Sequence, residues 1–241
     1  MKTRFILINT SHAGNVGAAA RAMKVMGFDD LVLVAPRWPD VLTRDETIQR
    51  ASGATDVLDK ARIVATLDEA LEGVSYLCAT AMTPRDFGPP TATPREHLGA
   101  VAASGQSVAF LFGSERFGMG NDDVYRCHVA LTIPTDPQYG SLNLAAAIQV
   151  IAYEWRSALG GFHVKPSVAP GEFADARAVA GMLAHWEQAL VEIGFLDPAA
   201  PKKLMPRLNQ LFNRAQLTPE EIHILRGVAK AMAEAASRPK R

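Results

Sequence analysis

Short apolar segments alternate with helical patterns through the first 160 residues of the 241-residue chain. This alternation predicts an α/β domain with a mainly parallel sheet, because strands separated by helices pair in the same direction. We expect six strands, at residues 4–9, 31–34, 63–65, 76–80, 108–113 and 129–133. Helices are expected at residues 16–26, 47–51, 67–71, 94–102 and 122–125, followed by a long helix over 142–159.

The most apolar helical pattern runs from Leu142 to Tyr153, and Asn143 and Gln149 are its only amides. A helix that is apolar on all sides is expected to be buried, and a buried asparagine needs hydrogen-bond partners. Asn143 therefore indicates a role beyond folding. The alternative is that Ser141 is a helix N-cap and Asn143 a satisfied polar group of the first turn.

A glycine pair at 160–161 ends this pattern, and the proline- and glycine-containing residues 161–174 indicate a linker. Three further helical patterns follow, at residues 175–193, 202–215 and 218–236. Their apolar stripes predict a small helical extension over residues 175–241 rather than a disordered tail. The expected organisation is therefore a domain over residues 1–160, a linker and this C-terminal extension.

Composition narrows the classes of protein that the chain can represent. Hydrophobic residues make up 48% and charged residues 21%, which is typical of a globular protein with a packed core. No apolar run approaches the roughly 20 residues of a membrane helix, and the N-terminus lacks signal-peptide features, so we expect a cytoplasmic protein. Cys78 and Cys127 have no CxxC spacing and are expected to be buried thiols. The histidines show no metal-ligand spacing, so no metal is expected.

The net charge of the chain is zero, but the charges are unevenly distributed. Residues 1–160 hold 14 basic and 17 acidic side chains, whereas residues 161–241 hold 11 and 8. From Pro201 onward the counts are 9 basic and 3 acidic. A basic C-terminal region can bind nucleic acid, and the alternative is a solvated helix face.

Three segments that follow predicted strands carry the candidate chemistry, because parallel sheets bind ligands beyond the carboxyl ends of their strands. In residues 9–21, small side chains precede a helix, which suits an approaching anion. An unpaired Arg21 on the small apolar face of this helix would be costly, and an intrachain salt bridge is the alternative. Residues 112–121 contain three glycines, which indicates backbone wrapped around a ligand, although Glu115 and Arg116 could form a surface ion pair. The third segment joins the last strand to the long apolar helix.

Together these segments resemble the three motifs of the SpoU branch of the SPOUT methyltransferases. The matching residues are Asn9, Asn15, Gly17 and Arg21; Phe112, Gly113, Ser114, Glu115, Arg116 and Gly118; and Ile133, Pro134, Ser141, Leu142, Asn143 and Leu144. Within that branch, Thr10-Ser11-His12 and the sequence that follows Arg21 are similar to the TrmJ group.

The resemblance implies a parallel-sheet SPOUT domain whose C-terminal part forms a deep trefoil knot, and a homodimer that binds S-adenosylmethionine at the knot. It also implies a set of cofactor-binding residues: Thr80, Ala81, Met82, Gly113, Glu115, Gly118, Ile133, Ser141, Leu142 and Asn143. Loops that supply backbone groups and small side chains suit an adenosine ring better than a metal or a triphosphate.

The implied reaction is methyl transfer to a ribose 2′-hydroxyl of tRNA, at cytidine or uridine 32 of the anticodon loop. The resemblance assigns catalytic roles to Arg21, Ser141, Asn143, Asn15 and Glu115. Because a guanidinium is not deprotonated in proteins, we expect Arg21 to clamp a phosphate and stabilise the developing alkoxide rather than act as a base. The basic residues expected to contact RNA are Arg21, Arg116, Lys202, Lys203, Arg207, Arg214, Arg226 and Lys230.

Three other functions compete with this hypothesis. One is a catalytically inactive RNA-binding protein on the same scaffold, against which the complete set of motif residues counts. Another is a SpoU-type enzyme that acts at a different tRNA or rRNA position. A doubly wound dehydrogenase or NTPase is disfavoured, because neither GxGxxG before a long helix nor a Walker loop occurs in the chain.

Overall fold

The structure is a computed structural model that describes residues 2–81, 83–164 and 172–237. The chain divides into two compact units, residues 1–163 and residues 164–241. The first unit contains a seven-stranded sheet with helices, and the second unit is helical. Within the described ranges, no helix combines the length and the apolar character needed to cross a membrane.

All neighbouring strands of the sheet are parallel, in the order β3-β2-β1-β6-β4-β7-β5. The strands are Thr3–Ile8 (β1), Asp30–Val34 (β2), Arg62–Val64 (β3), Tyr76–Thr80 (β4), Thr91–Ala92 (β5), Val108–Phe112 (β6) and Val129–Leu131 (β7). The six predicted strands are all present, which confirms the α/β fold class. Strand β5 was not predicted, because two residues are too few to show an alternating pattern.

Seven α-helices accompany the strands in the described part of the first unit. They are Ala13–Val25 (α1), Asp45–Ala51 (α2), Thr55–Lys60 (α3), Leu67–Ala70 (α4), Pro94–Ala103 (α5), Asn121–Tyr125 (α6) and Leu144–Ala158 (α7). Helix α3 was not predicted, since it is short and buries only Val57 and Leu58. Helix α1 starts three residues earlier than predicted. The prediction began later because Gly14 and Asn15 are poor helix formers, yet both lie in the first turn of the helix.

Alternate residues of each central strand face two different helical layers. Phe5 and Leu7 of β1 belong to the core that contains α1, α2, α3, α5 and α7. Ile6 and Ile8 belong to the opposite core, which contains α4 and α6. Side chains of central parallel strands are buried on both faces, which explains why the segments are continuously apolar. Trp155 of α7 is fully buried and donates a 2.9 Å hydrogen bond from Nε1 to Thr3 Oγ1.

Helix α7 was predicted to be buried on all sides, but the structure shows a different arrangement. It buries one stripe, namely Leu144, Ile148, Ile151, Ala152 and Trp155. Tyr153 is 53% exposed on another face. The prediction was wrong because α7 lies in an outer layer, where only the side toward the sheet and the neighbouring helices is covered in the single chain.

Gly17 allows α1 and α2 to approach each other closely. A Cβ atom at this position would lie 2.0 Å from the carbonyl oxygen of Thr47 and 2.9 Å from the amide nitrogen of Ala51. Both atoms belong to the backbone, so no side chain can move aside. The glycine therefore fixes the spacing between the first motif and α2.

We expect Gly17→Ala to lower the free energy of unfolding by about 2 kcal/mol, because the added methyl group overpacks a backbone contact. Gly99→Ala in α5 is the control, since no atom lies within 4 Å of its added Cβ. That control is expected to gain up to about 1 kcal/mol from helix propensity. Urea unfolding of both variants checks the difference, and equal stability of the two would contradict the close-packing argument.

The second unit is built from three helices, Ala176–Glu192 (α8), Leu204–Ala215 (α9) and Pro219–Ala236 (α10). Its core consists of Val179, Met182, Leu183, Phe212, Leu217 and Ile222. The rings of Trp186 and Phe212 meet edge to face at 5.6 Å. The three predicted helices are thus present, and their apolar stripes contribute to this core. Much of the linker predicted over residues 161–174 lies outside the described residues.

Candidate active site

The candidate site lies where the loops after four adjacent strands meet. Strands β1, β6, β4 and β7 are consecutive neighbours in the sheet and run in one direction. Their carboxyl ends therefore share one edge, where ligands of open parallel sheets bind. The three sequence motifs and the loop after β4 follow these strands, so the topology brings them together.

A cavity of about 360 Å³ opens between these loops. Eight of the predicted cofactor residues line it, namely Thr80, Ala81, Gly113, Glu115, Gly118, Ile133, Ser141 and Leu142. Asn143 does not line this cavity, and Met82 lies outside the described residues. Sequence reasoning missed further lining residues, including Thr83, Arg85, Phe112, Met119, Thr135 and Gly140. Most of these lie within or beside the same post-strand loops, so the strand-end rule could have found them.

The glycine loop after β6 folds back on itself beside the cavity. Ser114 N donates to Gly118 O at 3.0 Å, and Gly118 N donates to Ser114 O at 2.8 Å. Gly118 has φ +69°, a left-handed conformation that favours glycine. A Cβ at Gly113 would lie 2.1 Å from the carbonyl carbon of Gly118. Glycine at position 113 is therefore required for this turn.

Glu115 connects the glycine loop to the first motif. Its Oε2 accepts hydrogen bonds from Ser11 N at 2.9 Å and Ser11 Oγ at 2.7 Å. Its Oε1 accepts from Asn15 Nδ2 at 3.0 Å and from His12 N at 3.3 Å. The alternative of an ion pair with Arg116 is wrong, because the ion pairs of the described residues do not include one between Glu115 and Arg116. The Arg116 guanidinium lies 5.3 Å from the centre of the Phe117 ring.

The hydrogen bonds also set the protonation state of Glu115. Partial burial raises its pKa, but the donors on Asn15 and Ser11 stabilise the carboxylate, and the resulting pKa lies below the ordinary value of 4.5. Glu115 is therefore ionised at neutral pH. An anion held by this many donors is suited to fixing the loops rather than to exchanging a proton.

Asn143 connects the third motif to the first. It is the N-cap of α7, and its Oδ1 accepts from Ala145 N at 2.9 Å. Its Nδ2 donates to Asn15 Oδ1 at 3.2 Å. The side chain is exposed, so the expectation of a buried asparagine was wrong, and Ser141 is not the N-cap. Glu115, Asn15 and Asn143 thus form one hydrogen-bonded chain that joins the three motifs.

Arg21 is exposed on α1 and takes no part in the ion pairs of the described residues. We expected an unpaired guanidinium here to carry a free-energy penalty for burial. That expectation was wrong, because the side chain is exposed to solvent. The alternative of an intrachain salt bridge is also wrong within the described part of the chain. Arg21 lies one turn beyond Ala18, on the helix face that starts beside Asn15. Its cation is therefore exposed on the helix that begins with the first motif.

The predicted RNA-contacting residues of the second unit are not all grouped together. Lys202, Lys203 and Arg207 line one cavity together with the 67% exposed Phe195. Arg214 lies at the end of α9. Lys230 pairs with Glu234 at 3.8 Å on α10, and Arg226 contacts α8 beside Gly181. Among the predicted RNA-contacting residues of this unit, the three grouped around one cavity are therefore those at the start of α9.

Both cysteines are buried free thiols, as predicted. Burial raises the pKa of Cys127 to about 12, and burial likewise raises the pKa of Cys78 well above its ordinary value. Cys127 lies before β7 rather than in a strand. Within the ranges that the structure covers, no three histidine, cysteine or acidic side chains are grouped as a metal site.

Known proteins with similar sequences belong to one family of RNA methyltransferases. The model of the SpoU rRNA methylase family matches residues 2–153, and that of the tRNA methyltransferase TrmJ C-terminal domain matches residues 177–241. A tRNA (cytidine/uridine/adenosine-2′-O-)-methyltransferase TrmJ from Pseudomonas aeruginosa (strain UCBPP-PA14) is 43% identical over 94% of this chain and 92% of its own length. The TrmJ of Cronobacter sakazakii is 42% identical over 93% of both chains.

A solved structure agrees with these sequence relationships. The crystal structure of TrmJ from Z. mobilis ZM4 covers 97% of this chain and 100% of its own, with a TM-score of 0.80 and 32% identity. The fold, the hydrogen-bonded motifs and these relationships therefore define a SPOUT-type methyltransferase. The chain belongs to the SpoU methylase family and, within it, to the TrmJ group.

Proposed function

We propose that this protein is an S-adenosylmethionine-dependent tRNA ribose 2′-O-methyltransferase that modifies cytidine or uridine 32 of the anticodon loop. The observation that carries the proposal is the hydrogen-bonded chain Glu115–Asn15–Asn143, which joins the three motifs beside a cavity of cofactor size. The names of relatives from P. aeruginosa and C. sakazakii, which specify tRNA 2′-O-methylation, support the substrate class.

The cavity between the loops fits S-adenosylmethionine. Its wall combines apolar side chains with backbone polar groups, and the absence of a Cβ at Gly113 keeps the glycine loop closed upon itself. The residues that would hold the cofactor include Ser141, Leu142, Ile133, Thr80 and Ala81, which all line this cavity. When bound, the cofactor supplies an electrophilic methyl group.

The acceptor side is provided by the exposed residues of the first and third motifs. Ser141 and Asn143 orient the ribose hydroxyl, since alignment with the donor contributes a large part of such catalysis. Arg21 clamps the neighbouring phosphate and stabilises negative charge as it develops on the 2′-oxygen. Glu115 and Asn15 keep these groups in position through the hydrogen bonds that join the loops.

We also propose that the protein acts in the cytoplasm as a homodimer with a knotted C-terminal part of the sheet domain. The exposed apolar side chains of α1 and α7, which include Val25 at 57% and Tyr153 at 53%, support association of two copies. The knot is supported by membership of the family. Residues 175–241 would contribute to tRNA binding or support the dimer.

The deciding experiment maps ribose methylation in tRNA from a strain that lacks the gene, before and after incubation with purified protein and S-adenosylmethionine. Methylation of the 2′-oxygen at nucleotide 32 is expected only in the treated tRNA. A product at another nucleotide would favour the alternative SpoU-type activity. Binding of tRNA without any product would favour the inactive RNA-binding alternative.

The basic group Lys202, Lys203 and Arg207 allows a test of tRNA binding by the second unit. Replacing all three with alanine is expected to weaken tRNA affinity roughly tenfold. The slope of the logarithm of the binding constant against the logarithm of the salt concentration should become shallower by about 0.7 to 0.9 per lost phosphate contact. Lys60→Ala, which removes an exposed cation paired with Asp29, is the control. Filter binding at several salt concentrations measures both effects, and an unchanged slope would remove these residues from the interface.

A further inference from the structure

A second cavity, of about 470 Å³, lies beside the cofactor cavity. Its lining residues are His12, Gly14, Asn15, Ala18, Glu46, Arg50 and Asn143. Glu115 lines the cofactor cavity. Asn15, which donates to Glu115, and Asn143, which donates to Asn15, both line the second cavity. This hydrogen-bonded chain is therefore the wall between the two cavities. A group held in the second cavity lies next to the cofactor and on the face of α1 that carries Arg21.

The polar side chains that α2 contributes to this cavity have no ion-pair partner among the residues that the structure describes. Neither Glu46 nor Arg50 belongs to the ion pairs of the described residues, although they are four residues apart on one helix. Both are exposed. The Glu46 carboxylate lies over the start of α1, because a Cβ at Gly14 would be 2.5 Å from Glu46 Oε1. An acceptor and a cation thus face the same concave surface.

We propose that the second cavity receives the acceptor pyrimidine nucleoside and that Glu46 reads its base, an inference that rests on the proposed tRNA methylation. Carboxylates accept hydrogen bonds from the exocyclic N4 amino group of cytosine. Unpaired loop nucleotides of RNA present this Watson–Crick edge to proteins. Uracil carries an oxygen at the same place, which the carboxylate repels. Arg50 binds a phosphate next to the nucleoside, so Glu46 sets base preference and Arg50 contributes affinity for either base.

The test uses two tRNA transcripts that differ only by cytidine or uridine at the acceptor nucleotide. Glu46→Gln is expected to lower the cytidine-to-uridine ratio of kcat/KM about tenfold, because the amide can also donate to the uracil oxygen. Asp45→Asn, a neighbouring exposed carboxylate that does not line the cavity, is the matched control and should leave the ratio unchanged. Arg50→Ala should raise KM for both transcripts without changing the ratio.

Gly14→Ala provides a second, independent variant. The nearest atoms to the added methyl group all belong to the Glu46 side chain, so the helix tolerates the change and the carboxylate must move. The cytidine-to-uridine ratio should fall as it does in Glu46→Gln. Calorimetric affinity for S-adenosylmethionine should stay at the wild-type value in both variants, which shows that they are folded.

An unchanged ratio in Glu46→Gln, or an equal loss on both transcripts, would overturn the assignment of Glu46. That result is distinct from failure of the proposed function, in which the wild-type protein methylates neither transcript.

Discussion

Arg21→Ala is expected to reduce methyl transfer to tRNA by about 10²- to 10³-fold, the usual cost of removing a group that stabilises a developing oxyanion. Arg21 is exposed on α1, is absent from the cofactor cavity, and joins none of the ion pairs in the described ranges. Its removal should therefore leave the affinity for S-adenosylmethionine within about twofold of wild type, because in the proposed mechanism the lost interaction forms only with bound RNA.

Single-turnover methylation and isothermal calorimetry with S-adenosylmethionine measure the two quantities separately. Arg62→Ala, which removes an exposed arginine on edge strand β3, is the matched control and should retain activity. Arg21→Lys should recover part of the rate, since it keeps the charge but loses the paired donors of the guanidinium. A large loss of cofactor affinity in Arg21→Ala would show that the proposed role is wrong.

Glu115→Gln is expected to destabilise the first unit by about 2 kcal/mol, because an amide nitrogen replaces one acceptor oxygen in front of several donors. The donors are the Ser11 amide and hydroxyl, the His12 amide and the Asn15 side chain. Since the same contacts hold the glycine loop beside the cavity, affinity for S-adenosylmethionine should fall together with stability. Urea unfolding and calorimetry measure the two effects.

The destabilisation should also depend on pH. The pKa of Glu115 lies below the ordinary value of 4.5, so the carboxylate stabilises the folded state above that pH and loses this contribution as the pH falls through its lowered pKa. The difference in unfolding free energy between wild type and Glu115→Gln should therefore become smaller as the pH falls below 4.5. Glu72→Gln, at an exposed carboxylate, is the control and should be nearly neutral at each pH. A difference that stays constant below pH 4.5 would contradict ionised Glu115 as the source.

Sequence patterns predicted the elements that have a strong period or a clear boundary. Tyr76–Thr80 was predicted with the same bounds that the structure has, because an apolar run lies between polar turns. The start of α7 was predicted two residues early, since the apolar pattern includes Leu142 although the cap is Asn143. Strand β5 has two residues and pairs with β7, so its formation depends on a neighbour far away in sequence.

The residues of the candidate site also fall into two groups, those that the sequence pattern predicted and those that it did not. Motif residues such as Gly113 and Glu115 were recognisable along the chain, because their spacing and their position after strands resemble one family. Glu46 was not, since nothing in the pattern of α2 indicates that its carboxylate lies over Gly14. A contact between residues more than thirty positions apart leaves no local signal.

The sequence by itself determined the strand-and-helix alternation, the helical C-terminal extension and the three motifs, because each is encoded by local periodicity or by residue types at close spacing. Only the tertiary structure decided that β6 lies between β1 and β4, and that Glu115, Asn15 and Asn143 form one hydrogen-bonded chain. It also decided that α7 has an exposed face. Pairing order and distant contacts depend on how the whole sheet packs, and no local stretch of residues specifies them.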